Sequence, residues 1–276
     1  MIESLFVIVK ALGFAAALTG AGTALARVAL LGSAQPPPAL QTLIRLTGGL
    51  LAICSCCAAI LFIGRLGGEP DRATLSAVFV SPIGASLALQ CVGGVWLVTA
   101  GTRAASLPAA LLILSSFGVV GHSATRGLPT SISVVLHVTA AAWWLGGLWT
   151  LLLVRSYSSE DFANLVRRFG RQALWIVAAL LSAALFTAVQ LLEFSFDLES
   201  SYTRGLLAKA GLTSLLIALA ALNRLVLTPR LAAGGGHRSW LMRSIGAEIV
   251  VFAGVVCVTA WLTTTQSPHV TEHAEQ

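Results

Sequence analysis

Methionine is nearly absent from this 276-residue chain: Met1 and Met242 are the two it has, so no ladder of thioethers for a soft metal ion can be built. Charge is scarce as well. Asp, Glu, Lys and Arg make up 10% of the residues against 57% hydrophobic ones, too few polar side chains to cover a water-facing surface. Catalytic groupings are missing: no Ser-His-Asp arrangement, phosphate-cradling glycine loop or intramembrane carboxylate pair can be assembled, so no enzyme is expected. The five cysteines, Cys54, Cys56, Cys57, Cys91 and Cys257, all lie in apolar runs, where disulfide staples are not expected. The start lacks a basic region and a convincing cleavage site, so the first apolar segment is expected to stay as a helix. The net charge of +6 comes without an aromatic-basic patch, which argues against a nucleic-acid partner.

What remains is hydrophobic length. Mean hydropathy is +0.87, and the apolar runs predict eight spans, at residues 2–26, 43–64, 83–101, 105–121, 131–154, 173–193, 205–225 and 244–263. The expected fold is therefore all-α, a polytopic membrane helix bundle with eight transmembrane helices in one membrane domain, residues 1–276, surrounded by the lipid bilayer. An even number of spans puts both termini on one side. Eleven basic residues flank the odd connections and five the even ones, so the odd side is expected to be cytoplasmic. The opposite side, with both termini, carries Glu69, Asp71, Glu193, Asp197 and Glu199, a mildly acidic face that favours approach of cations.

The stretch Ser131–Val154 organises the chain. It is apolar throughout except for His137, about two turns inside one end, and it contains Trp143-Trp-Leu-Gly-Gly147. An imidazole at that depth is costly to leave in lipid and should face the bundle. His122 closes the preceding span, and the short connection 123–130 brings the two imidazoles to similar depth. Either they ligate a metal or haem together, or each makes a helix-to-helix hydrogen bond. Beyond the last span, His269 and His273 stand four residues apart with Glu272 between them, a spacing that could clasp a metal on a helix; a frayed terminus instead gives a solvated tail. Cys54 and Cys57, with Cys91 and Cys257, share a mid-membrane depth and read either as thiolate ligands or as ordinary small packing residues. Lys209 enters the seventh span from outside and could snorkel outward. Glu248 lies about a turn inside the eighth span, where Arg224 or Arg243 would pair with it. Gly13, Gly20, Gly22, Gly93-Gly94 and Gly146-Gly147 read as points of close helix packing.

Several of these residues fall in a familiar order: Gly121-His122, Leu136-His137, Trp144-Leu-Gly-Gly147, Tyr202-Thr-Arg-Gly-Leu-Leu-Ala-Lys209, Ala221-Leu-Asn-Arg224, Thr228-Pro-Arg-Leu231, Glu248 and Thr263-Thr-Thr265. Over residues 105–265 the chain resembles the CopD copper-resistance membrane domain; residues 1–104 match only as apolar helices. The resemblance implies a bacterial inner-membrane protein with eight helices, associated with copper uptake or resistance and partnered by a periplasmic CopC-like copper carrier; with the termini periplasmic by the basic asymmetry, copper is expected to be accepted at that face for uptake or delivery. His122 and His137 are then the first copper ligands, and Glu193, His269 and His273 serve as capture groups. Lys209, Asn223, Arg224 and Glu248 are structural or gating residues. Two other readings stay open: a membrane cytochrome holding haem b between the same histidines, and a factor assisting copper-enzyme assembly.

Overall fold

A computed structural model describes residues 2–32, 36–65, 71–120, 127–154, 157–192, 201–232 and 238–265. Among the described residues every regular element is a helix. They are α1 (Ile2–Leu31), α2 (Pro38–Arg65), α3 (Arg72–Val80), α4 (Pro82–Thr99), α5 (Arg103–Ser115), α6 (Leu128–Leu153), α7 (Ser159–Leu192), α8 (Ser201–Leu222) and α9 (Arg238–Thr265). A 3₁₀ turn, Ser116–Gly118, extends α5, and a π-helical segment, Asn223–Leu227, carries α8 into a last helical stretch, Thr228–Ala232.

Seven of these helices are long and apolar enough to cross a membrane. The segment expected as a fourth span over 105–121 is the shorter apolar helix Arg103–Gly118. Its end tightens because the hydroxyls of Ser115 and Ser116 turn back on the carbonyls of Leu112 and Ile113, at 2.9 and 2.6 Å. The short α3 was not anticipated. Asp71 caps it, its carboxylate accepting the Thr74 amide at 2.7 Å, a bond that holds the exposed Asp71 carboxyl below the ordinary carboxylate range. Ser81 then ends α3 and caps α4 with the same side chain, accepting the Gly84 amide.

Helix α1 is the hub. It packs most closely on α6 and α2, and also meets α5 and α9. The reason is its run of small residues: Ala17, Ala21 and Ala24 are fully buried, and at Gly22 a β-carbon would lie 1.8 Å from the carbonyl oxygen of Ala142 in α6. At Gly146 it would lie 2.0 Å from the carbonyl carbon of Gly22. The two backbones are thus in direct contact, with no room for a side chain between them. A second such approach joins α2 to α4, where a β-carbon on Gly48 would lie 2.7 Å from the Gly94 carbonyl oxygen.

Polar groups mark the two ends of the bundle. At one, Glu3 pairs with Arg65 at 3.3 Å, and Lys10 donates to the Thr263 carbonyl at 3.0 Å, so α1 begins where α9 ends. Lys10 also stands over the rings of Phe6 and Phe14. At the other end the buried Arg27 donates to Gln41, which donates to the Ala100 carbonyl, while Arg168 donates to the Leu30 carbonyl and so caps α1. Helices α4 and α5 are antiparallel neighbours, as their short connection predicts. Ser86 donates to the Ser116 carbonyl at 2.9 Å and Gln90 to the Ser116 hydroxyl at 3.1 Å.

Candidate functional site

His137 sits on α6 facing α7. Its Nδ1 is 3.2 Å from the Leu180 carbonyl oxygen. A carbonyl only accepts, so Nδ1 carries the hydrogen and donates, which leaves Nε2 as the ring's ligating nitrogen. One turn earlier on the same face, the buried Ser133 donates to the Ala183 carbonyl at 3.0 Å and shares a hydrogen bond with the Thr187 hydroxyl at 3.1 Å. Ser133 and His137 thus form a polar seam against α7. Their four-residue spacing on an otherwise apolar helix is the signal that could have found Ser133. The charge of Lys209 on α8 acts on His137 as a like charge through the interior.

The second polar cluster lies deeper. Glu248 of α9 is 2% exposed and accepts from the Asn223 side-chain amide, and the Trp144 indole faces the same carboxyl. Sequence reasoning paired Glu248 with Arg224 or Arg243; the structure places Asn223 there instead. The cause is helical register: Arg224 points about 100° away from Asn223 and donates to the Gly170 carbonyl, while Arg243 stands 5.6 Å from the Trp240 ring. The π segment opens at Asn223, whose carbonyl accepts from the Thr228 hydroxyl five residues on, at 2.8 Å. That extra residue turns Asn223 inward.

The cluster is incompletely paired. Glu248 Oε2 and Asn223 Oδ1 are buried with no hydrogen-bond partner. Replacing Glu248 by Gln keeps the acceptor for Asn223 while removing the buried charge, so Glu248→Gln is expected to leave the unfolding temperature in detergent within about a degree. Glu248→Ala should lower it by several degrees, since a buried amide losing its partner costs about 1–3 kcal/mol. A Gln variant as unstable as the Ala variant would show that the negative charge itself holds the helices.

Of the other sequence-predicted residues, His122, Glu193, His269 and His273 lie outside the described residues. Cys54 is buried against α1, Cys257 is exposed, and the sulfurs of Cys56 and Cys91 approach to 3.9 Å across α2 and α4. Among the described residues no three His, Cys, Asp or Glu side chains converge as a metal-binding group.

This is a membrane-type helical bundle whose largely apolar interior holds, among other buried polar groups, a histidine seam and an Asn-Glu pair. The family described as CopD, copper resistance protein D, matches residues 163–262, a stretch that takes in most of α7, all of α8 and most of α9 and lies within the region whose motifs resemble that family. The chain is 24% identical over 194 residues to the inner membrane protein YebZ of Escherichia coli (strain K12), covering 59% of this chain and 67% of that protein. It is 28% identical over 166 residues to the copper transport protein CutJ of Bacillus subtilis (strain 168), covering 57% of this chain and 29% of that protein. The chain therefore spans about two thirds of one relative and under a third of the other. No solved structure matches it.

Proposed function

We propose that the chain is a bacterial inner-membrane copper transport or resistance protein, accepting copper at the end of the bundle where α1 begins and α9 ends. The observation that carries this reading is the His137 ring, fixed by the Leu180 carbonyl so that Nε2 is held ready as a ligand inside an otherwise apolar wall. Copper suits imidazole donors, and similarity to a family described by copper resistance and to a copper transport protein supports copper as the metal. The sequence offers His122, Glu193, His269 and His273 as further donors for this reading. The basic asymmetry of the connections turns the mouth towards the periplasm, where a CopC-like carrier would hand over its ion. Lys209, whose charge acts on His137, disfavours a second positive charge there.

The purified, full-length protein decides between this reading and the cytochrome. Bound copper with no Soret band is expected, together with reaction of an Arg72→Cys probe, in a background without native cysteines, from the periplasmic side only. A Soret band replaces the copper reading with haem. Labelling of the probe from the cytoplasm reverses the entry face.

A further inference from the structure

At the opposite end of the bundle from His137, helix α7 runs past the membrane. Its 34 residues span about 51 Å, against a hydrocarbon core of ~30 Å. The surface of α7 changes character sharply along this length. From Leu174 and Trp175 onward its large exposed side chains, Leu181, Leu185 and Phe186 among them, are apolar, Trp175 being 76% exposed. Before that point Asn164, Arg167, Arg168 and Arg171 recur at three- and four-residue spacing and form one stripe. The opposite face, Phe162, Leu165 and Val166, is buried in the core. Trp240, 61% exposed near the start of α9, lies close to the first turn of α7, where Arg238 stands 4.3 Å over the Phe162 ring.

The arginine stripe faces Arg224 and Thr228 of the α8 extension across a cavity of about 510 Å³. Two of these guanidinium groups are partly used by the protein: Arg168 holds the Leu30 carbonyl and Arg224 the Gly170 carbonyl. Arg167 donates to Asn164 at 2.6 Å. Arg171 has no hydrogen-bond or ion-pair partner among the described residues, and the one ion pair among them, Arg65 with Glu3, lies at the other end. Four cations therefore line one cavity with no carboxylate to balance them.

We propose that this cavity holds the phosphate of an anionic phospholipid in the leaflet it faces. Depth favours a lipid over a soluble anion. Arg171 stands four residues beyond Trp175, about 6 Å along the axis, and Arg167 about 12 Å, which places the stripe in and just outside the headgroup layer. Guanidinium forks match phosphate oxygens, and basic residues at this level bind anionic headgroups with about 1 kcal/mol each. The lipid would tie the overhanging part of α7 to the end of α8 and keep the two from repelling each other.

Full-length protein stripped of lipid in a neutral detergent, then titrated with cardiolipin or phosphatidylglycerol, phosphatidylcholine, or inorganic phosphate, tests this by native mass spectrometry and thermal unfolding. The anionic lipids should be retained and raise the unfolding temperature, and phosphatidylcholine should not. Arg171→Gln, which removes no contact within the protein, should weaken retention about fivefold, and Arg167→Gln with Arg171→Gln about thirtyfold. Arg171→Lys should keep most of it. Retention unchanged in Arg171→Gln, or equal for phosphatidylcholine, overturns the proposal. If inorganic phosphate alone gives the whole shift, the cavity is a soluble-anion site and the lipid assignment falls.

Discussion

His137→Ala is expected to strip the protein of most of its bound copper, weakening affinity on the order of a hundredfold or more, while leaving the helical bundle intact. The size follows from chemistry: losing a second-sphere partner costs ten- to a hundredfold in metal affinity, and losing the ligand itself costs no less. The fold should survive because the His137 ring is half-exposed and bonds only a main-chain carbonyl, so its removal orphans one acceptor at the edge of the core. Protons compete with copper for Nε2, so affinity in the parent protein should fall as pH is lowered, and the alanine variant should lose that dependence. Lys209→Gln serves as the companion, since relief of a like charge should tighten binding by roughly tenfold. Equilibrium dialysis with copper, alongside circular dichroism, reads all three. Full copper content in His137→Ala removes the histidine from the site, and weaker binding in Lys209→Gln makes the lysine a partner of the ligand rather than its opponent.

A comparably large effect, on stability, is expected at the α1–α6 contact. Gly22→Ala would set a β-carbon 1.8 Å from the Ala142 carbonyl oxygen, and Gly146→Ala would set one 2.0 Å from the Gly22 carbonyl carbon. Neither neighbour is a flexible side-chain tip, so the helices must separate along their length. Overpacking of ordinary core sites costs about 1–3 kcal/mol, and a backbone-to-backbone clash should reach or exceed the upper figure. Gly211 and Gly246 are internal controls with nothing within 4 Å of an added β-carbon. Alanine there should stabilise by about 0.5–1 kcal/mol through its better helix propensity. Unfolding temperatures in one detergent compare the four variants, and similar behaviour of all four would mean that the two helices are not in backbone contact.

The helices and their glycine contacts were legible because both depend on local pattern: apolar length gives a span, and small residues at Gly22 and Gly146-Gly147 permit close approach. His137 was legible as a lone polar side chain in such a run. Its partner was not, because a main-chain carbonyl on α7 has no signature in side-chain identities. Glu248 was recognised as a charge needing company, yet Asn223 was not seen as that company. Reading α8 as one uninterrupted 3.6-residue helix misplaces every side chain beyond position 222, and the one-residue widening at Asn223 is decided by tertiary packing. The shortening of α5 has a similar origin in two serines whose hydroxyls compete for backbone carbonyls.

The contact of bare backbones between α1 and α6 also divides the molecule into a stiff part and a compliant one. Two helices interlocked at main-chain distance cannot slide or roll past each other without first moving apart, so they act as a keel. Helices α7 and α8 carry the smallest buried share of any of the spans, and α8 contains the wide turn at Asn223, where register can be gained or lost by one residue. On the proposed function, a rearrangement that carried an ion past His137 would be a swing of α7 and α8 against the α1–α6 frame, with the give concentrated in the segment that the family match covers.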